Sequence, residues 1–73
     1  MSNYTTGELA KAEGVTVRTV QYYDTRAIII PSDFSEGGRR LYTEDDLRLL
    51  KVICFLREIG LSINTIDSLL RED

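Results

Sequence analysis

Residues 14–24 constrain the fold of this chain more than any other stretch. Gly14 can adopt the positive φ that ends one helix, and Thr16 can cap the start of the next. At about 100° per residue, one side of the predicted helix is apolar and carries Val17, Val20 and Tyr23. The opposite side groups a cation, an amide and a phenol: Arg18, Gln21 and Tyr22. Because such groups contact phosphates and base edges, we interpret this segment as a DNA recognition helix.

A shorter helix is predicted just before it, over residues 7–13. Thr5 and Glu8 have the spacing at which each side chain accepts a hydrogen bond from the backbone N–H of the other. Ala10 permits close approach of two helices, Gly14 makes the turn and Val20 packs the second helix onto the first. Together these positions predict a helix-turn-helix.

An arginine-bearing hairpin is predicted next. Residues 28–31 form a β-branched run closed by proline, which we interpret as extended, core-filling chain. Residues 35–38 have the composition of a hairpin turn, and residues 39–42 would form the return strand. Because successive side chains of a strand point to opposite faces, Arg39 and Leu41 would lie on one face and Arg40 and Tyr42 on the other. The hairpin is either a wing beside the recognition helix or a solvated surface loop.

Two further helices complete the predicted fold. Thr43 caps a helix over residues 44–59 whose apolar side chains cover roughly 240°, against about 100° for an ordinary surface helix. Phe55 points into the remaining polar arc, so the helix is either central or partly exposed and awaiting a partner. Ser62 caps the last helix, in which four residues are spaced for burial: Ile63, Ile66, Leu69 and Leu70. We predict a single, mainly α domain over residues 1–73, with about four helices and a short β-hairpin.

The charge distribution matters more than the net charge of −3. Residues 15–42 hold four basic and three acidic side chains, 4 − 3 = +1, whereas residues 43–73 hold four and seven, 4 − 7 = −3. Because phosphate neutralisation supplies most non-specific DNA affinity, this distribution predicts modest binding by one copy.

Several other classes of protein are disfavoured by composition. The chain has no histidine, and its single cysteine, Cys54, has no partner for a disulfide and no adjacent base, so we expect no metal, no cofactor and no enzymatic activity. Gly37 and Gly38 lack the lysine and following helix of a phosphate loop. No apolar run approaches the roughly 20 residues of a membrane span, which predicts a cytoplasmic protein without membrane contact.

Four linked segments resemble the N-terminal DNA-binding domain of the MerR family of bacterial transcription regulators: residues 4–10, 15–24, 38–47 and 59–63. The resemblance implies a winged helix-turn-helix whose second helix enters the major groove of double-stranded DNA. It places on or near DNA the side chains of Thr16, Val17, Arg18, Tyr22 and Tyr23, with Arg40 and Tyr42 in the wing. Since the helical wheel turns Tyr23 inward, we expect it to be packed, with at most its hydroxyl reaching a phosphate.

Three positions depart from the family pattern. Gln21 stands where the family has arginine, which removes a phosphate clamp and supplies an amide suited to adenine. Ala27 stands where a glycine is expected after the recognition helix, which predicts either strain in a left-handed turn or a changed turn geometry. Arg39 replaces a frequent wing tyrosine and restores a positive charge close to the position where Gln21 replaces arginine. We therefore add both Gln21 and Arg39 to the predicted DNA contacts.

The resemblance also implies a long dimer-forming helix and an effector-binding segment, and this sequence includes neither. We expect a homodimer in a longer protein, and a monomer or weak dimer for this chain. The chain is then a regulator's DNA-binding domain or a naturally short relative that resembles phage excisionase-type architectural factors. A third hypothesis is a protein-interaction module that uses the apolar helix 44–59.

Overall fold

The computed structural model describes residues 3–71, and over that range four helices accompany one antiparallel hairpin. The elements in chain order are α1 (Thr6–Glu13), α2 (Val17–Thr25), β1 (Asp33–Phe34), β2 (Arg40–Leu41), α3 (Glu44–Glu58) and α4 (Ile63–Arg71). The predicted mainly α architecture with a hairpin is confirmed, and the predicted ends of the first and third helices are each within one residue of the observed ones.

The helix-turn-helix is made by α1 and α2 and begins with a reciprocal cap. The Thr5 hydroxyl accepts from the Glu8 backbone N–H at 3.2 Å, and the Glu8 carboxylate accepts from the Thr5 N–H at 2.9 Å. Gly14 ends α1 in the left-handed region at φ 74°, and the Thr16 hydroxyl caps α2 by accepting from the Thr19 N–H. Both caps and the turn glycine are as predicted.

The chain after α2 bends, whereas extended chain was predicted. Ala27 adopts φ 59°, and the N–H of Ile28 then donates to the carbonyl of Tyr23 at 2.9 Å. This closed turn buries Ile28 and Ile29 but directs Ile30 into solvent. A left-handed alanine costs roughly 1–2 kcal/mol, so the expected strain is present at the end of the recognition helix.

The hairpin is short and its return strand leads into a second pairing. Asp33 pairs with Leu41 and Phe34 with Arg40, so the strand predicted over residues 39–42 is confined to Arg40–Leu41. Tyr42 instead forms an isolated antiparallel bridge with Tyr4, through backbone hydrogen bonds of 2.7 and 2.8 Å. This bridge ties the end of the wing to the residues just before α1.

The core of the described range lies between the helix-turn-helix and α3. Its buried side chains come from all four helices and from the segments between them: Leu9, Ala10, Val20, Tyr23, Ile28, Ile29, Tyr42, Leu50, Ile53 and Ile66. Both alternatives proposed for the third helix apply in part, because Leu50 and Ile53 are buried while Val52, Phe55 and Ile59 are exposed.

The prediction for the last helix is only half right. Ser62 caps α4 as expected, and Ile66 is buried with Ile63 packed partly against the core. Leu69 and Leu70 are exposed, contrary to prediction. They lie in the last turns of α4, beyond the stretch that packs against the core through Ile63 and Ile66. Their helical spacing alone therefore does not bury them.

Candidate nucleic-acid interface

The outer face of α2 is exposed and polar. Arg18, Gln21 and Tyr22 are all exposed, as the helical wheel predicts. Val17 was placed on the inner side but is 42% exposed, because it lies in the first turn of α2, ahead of the buried positions Val20 and Tyr23. Thr16 is also exposed beside it, which brings four side chains and a helix cap to one accessible surface.

Tyr23 is packed, as expected. Its side chain is 6% exposed, and its ring centroid lies 5.7 Å from that of Tyr22. Burial raises the pKa of the Tyr23 hydroxyl above its ordinary value, so the phenol is neutral at neutral pH. Any contact of Tyr23 with a ligand is therefore restricted to the rim of its ring and its hydroxyl.

Arg26 fixes the end of the recognition helix, a role that sequence reasoning missed. Its guanidinium carbon lies 5.8 Å from the centroid of the Tyr22 ring, within the range of a cation–π interaction. The same guanidinium donates to the side-chain oxygen of Asn64 at 2.5 Å. Tyr22 is thus held against α2 by a cation that is itself held by α4. The contact with Asn64 spans 38 residues and leaves no local signal in the sequence, whereas the i,i+4 spacing of Tyr22 and Arg26 was the available signal for their contact.

A cleft of about 490 Å³ lies between α2 and the junction of α3 with α4. It is lined by Thr16, Arg18, Thr19, Tyr22, Tyr23, Arg57 and Ile63. The Arg57 guanidinium also donates to the carbonyl of Leu61 at 3.1 Å, which anchors it at the turn between the two helices. Arg57 adds a second cation beside Arg18, and its position in the last turn of α3 was the available signal.

The recognition helix and the wing meet at Asp24. Arg40 Nε lies 2.5 Å from Asp24 Oδ2, and the Tyr42 hydroxyl donates to the same oxygen at 2.9 Å. The predicted alternation is confirmed here, since both side chains reach one acceptor from the same face of the hairpin. A polar cleft of about 310 Å³ beside this pair is lined by Thr6, Gln21, Asp24, Thr25 and Arg40.

The prediction that Tyr42 contacts DNA does not fit this arrangement. Tyr42 is completely buried, because its ring fills the core beneath the wing and its hydroxyl is committed to Asp24. Burial, reinforced by the Asp24 carboxylate, raises the pKa of Tyr42 to about 12. Its side chain therefore supports the wing from inside and has no surface to offer a ligand.

Arg39 is the second arginine of the wing. It is exposed and, with Arg40 and Gly38, faces Thr5, Thr6 and Gly7 at the start of α1 across a cleft of about 340 Å³. The clefts share residues: Arg40 lines both this one and the one containing Gln21. Gln21 in turn adjoins Tyr22, which lines the cleft of Arg18. Five of the accessible predicted residues of α2 and the wing, Arg18, Gln21, Tyr22, Arg39 and Arg40, therefore line three clefts, two of which share Arg40.

Three further observations concern metal-binding types of side chain, long apolar helices and the single cysteine. Across residues 3–71, no three side chains of the metal-binding types come together. Helices within the same range are too short and too polar to cross a bilayer. Cys54 is partly buried, and burial raises its pKa, which keeps the thiol protonated at neutral pH.

Residues 4–73 match the family described as MerR HTH family regulatory protein. The chain is 40% identical to the transcriptional activator TipA of Streptomyces coelicolor over 68 residues, which cover 93% of this chain and 27% of TipA. It is 45% identical to the transcriptional regulator ZntR of Escherichia coli over 67 residues, which cover 92% of this chain and 48% of ZntR. The chain thus spans about a quarter to a half of the length of these curated relatives.

Solved structures show the same fold. The N-terminal part of the multidrug transporter activator Mta from Bacillus subtilis superposes with a TM-score of 0.91 at 34% identity, covering 96% of this chain and 66% of that one. HiNmlR, a MerR family regulator lacking the sensor domain and bound to promoter DNA, superposes with a TM-score of 0.85 at 28% identity, covering 93% of this chain and 52% of that one.

Proposed function

The chain belongs to the MerR family of helix-turn-helix regulatory proteins, and from this premise we propose that it binds specific sequences of double-stranded DNA to regulate transcription. The observation that carries the proposal is that exposed polar side chains of α2, Arg18, Gln21 and Tyr22, and those of the wing, Arg39 and Arg40, line three clefts, with Arg40 reaching the cleft of Gln21. In this arrangement α2 enters the major groove and the wing lies along the sugar–phosphate backbone.

The residue types suit distinct roles on DNA. Arg18 and Gln21 can hydrogen-bond base edges, guanine for an arginine and adenine for a glutamine, and Val17 can pack against a thymine methyl group. Thr16 and Tyr22 carry hydroxyls for phosphates at the two ends of the exposed face, while Arg39 and Arg40 supply charge from the wing. Tyr23 contributes at most its hydroxyl, and Tyr42 acts from within the core.

Electrostatics limits what one copy can achieve. The net charge of the chain is −3, and one of the two wing arginines is already paired with Asp24. Weak phosphate neutralisation by a single domain favours the use of two copies on adjacent half-sites, the arrangement that symmetric regulators use. We therefore propose that residues 1–73 form one DNA-binding unit and that it acts in pairs.

Two alternative functions, a protein-interaction module and a DNA-architectural factor, receive less support. The relatives named above are described as regulators, and HiNmlR was solved on promoter DNA, which favours DNA binding over a pure protein-interaction role. An architectural factor would use the same surface and would differ by bending DNA strongly without changing transcription. The same relatives support a non-enzymatic protein that works where the chromosome is, in the cytoplasm.

Arg18→Ala tests the assignment of the surface, with Arg48→Ala as its matched control. Arg48 is an exposed arginine paired with Asp45 within the first turns of α3, and it lines none of the three clefts beside α2 and the wing. The probe is a duplex selected by the unaltered chain from a random-sequence pool, titrated by fluorescence anisotropy over a salt series. Arg18→Ala should weaken binding roughly tenfold and, if Arg18 touches a phosphate, lower the salt slope by about one, whereas Arg48→Ala should change neither.

Equal affinities for the two variants would show that α2 does not read the duplex. Failure of the unaltered chain to enrich any duplex, with a scrambled duplex bound as well as every pool member, would overturn sequence-specific binding itself.

A further inference from the structure

Asp24 joins the recognition helix to the wing through a single oxygen atom. Its Oδ2 accepts from the Tyr42 hydroxyl at 2.9 Å and lies 2.5 Å from Nε of Arg40. The Asp24 side chain is mostly buried, at 16% exposure, whereas that of Arg40 is 54% exposed. One partner of the carboxylate is therefore fixed inside the fold and the other reaches into solvent.

The fixed partner determines where the carboxylate points. Tyr42 is fully buried, and its backbone is held by two hydrogen bonds to Tyr4. Its hydroxyl can donate only near its ring plane, so the acceptor oxygen of Asp24 has a defined position. A defined acceptor then restricts the exposed guanidinium of Arg40, whose long side chain would otherwise sample many rotamers.

The geometry of the pair leaves Arg40 able to bind a second anion. Arg40 pairs with Asp24 through Nε, and an arginine carries further donors on its two Nη atoms. Two donors in one plane match two oxygens of a phosphate, which gives both strength and direction to the contact. Holding the guanidinium in place beforehand reduces the entropy that is lost when DNA binds.

We propose that Asp24 is a positioning residue for DNA binding, which orients Arg40 of the wing toward the backbone phosphate beside the base edges that α2 reads. This inference rests on the proposed function and assigns within it how the wing and the recognition helix act as one unit. Asp24 itself touches no DNA in this arrangement.

Simple electrostatics makes the opposite prediction, which is what allows a test. Asp24 is a negative charge close to the proposed phosphate, so its removal should tighten binding if only charge matters. If positioning matters more, removal should weaken binding although the chain becomes less acidic. The sign of the change therefore distinguishes the two accounts.

Asp24→Asn is the primary variant, because it keeps the size and one acceptor oxygen while removing the charge. Asp24→Ala removes the acceptor as well, and circular dichroism melts identify any variant that does not fold. On the selected duplex, we expect Asp24→Asn to weaken binding several-fold and Asp24→Ala to weaken it by roughly tenfold. Binding by Asp24→Asn that equals or exceeds that of the unaltered chain would overturn the proposal.

The Arg40→Gln variant tests whether Asp24 acts through Arg40. In the Arg40→Gln background, Asp24→Asn should change affinity less than about twofold, because no guanidinium remains to be oriented. An unchanged several-fold loss in that background would show that Asp24 acts through the fold of α2, and would contradict the inference.

The outcomes separate the inference from the proposed function. If Arg18→Ala weakens binding while the Asp24 variants do not, the function stands and the positioning role fails. If the unaltered chain selects no duplex, both fail together.

Discussion

The surface around α2 and the wing differs sharply from the outer face of α3. The first is polar; Arg40 pairs there with Asp24, and Arg26 contacts the Asn64 amide and the Tyr22 ring. The second exposes apolar side chains, including Val52, Phe55 and Ile59, of which Phe55 and Ile59 are 59% exposed. Both surfaces are accessible, and on the first the side chains of Arg40, Arg26 and Tyr22 are held by defined partners.

This difference indicates that the two surfaces are suited to different kinds of partner. Phosphates and base edges require donors at fixed positions, so internal pairing that orders Arg40 and Tyr22 prepares the surface for them. An apolar face needs only shape and area, since hydrophobic burial is not directional. The apolar face of α3 is therefore suited to another helix or a second copy, and the α2 surface to nucleic acid.

The largest expected effect is on the free energy of unfolding, and it distinguishes the buried side of α3 from its exposed side. Ile53→Ala should lower the free energy of unfolding by roughly 2–5 kcal/mol, because Ile53 is fully buried and its loss leaves a cavity. Val52→Ala, one residue away on the exposed face, should change the free energy of unfolding by less than about 0.5 kcal/mol, since little burial is lost and alanine is the better helix former. Urea denaturation measures both, and similar losses would contradict the contrast between inner and outer faces.

Alkaline pH should destabilise the side of the molecule formed by α2 and the wing, because the buried Tyr42 hydroxyl ionises there. Its pKa is raised to about 12, from an unfolded value of about 10. A raised pKa stabilises the fold fully below the unfolded value, and this stabilisation is lost as pH rises from about 10 through about 12, on the order of 2–3 kcal/mol. Tyr4 and Tyr23, whose pKa values are also raised, act in the same direction.

Tyr42→Phe is the matched variant for that pH dependence. It removes the hydroxyl but keeps the buried ring, so stability near pH 7 should fall by about 1 kcal/mol. Its thermal melting temperature should then decline less steeply than that of the unaltered chain between pH 10 and pH 12. Parallel declines would show that Tyr42 does not control the alkaline transition.

A smaller effect of opposite sign is expected at the end of α2. Ala27 has φ 59°, a conformation that glycine adopts without penalty. Ala27→Gly should raise the free energy of unfolding by up to about 1 kcal/mol, since relief of strain outweighs the added freedom of the unfolded chain. The exposed Ala12→Gly inside α1 is the control and should destabilise by about 1 kcal/mol.

The smallest change in stability is expected at the centre of the apolar face. Phe55→Ser removes a largely exposed ring and should alter the free energy of unfolding by no more than about 1 kcal/mol. The same variant should reduce any concentration-dependent self-association seen by sedimentation equilibrium, because Phe55 would be central to an apolar contact. Unchanged association would show that another surface pairs the copies.

Sequence reasoning succeeded where the determining interactions are local. The caps at Thr5, Thr16 and Thr43 were predicted because each joins residues only three apart. The burial of Val20 and Tyr23 followed from helical periodicity, since α2 has a neighbour on that side. The fold class and most of the exposed surface of α2 therefore followed from short-range pattern and family resemblance.

It failed where a contact depends on the path of the whole chain. The prediction that Tyr42 contacts DNA came from the family resemblance, whereas its burial depends on a bridge to Tyr4. The pairing of Asp24 with Arg40 joins residues 16 apart through the hairpin, 40 − 24 = 16. Likewise, the periodicity of Leu69 and Leu70 indicated a face but could not show whether anything covers it.

The bridge between Tyr4 and Tyr42 also bears on the order of folding. It closes a loop of 38 residues, 42 − 4 = 38, in a chain whose other structure is mostly helical and local. Helices form within about a microsecond, whereas a pairing over such a distance must await the helices it spans. Residues 3–5, before α1, and the wing should thus order in a single late step. Their amide hydrogens should exchange together, and any opening that frays one should release the other.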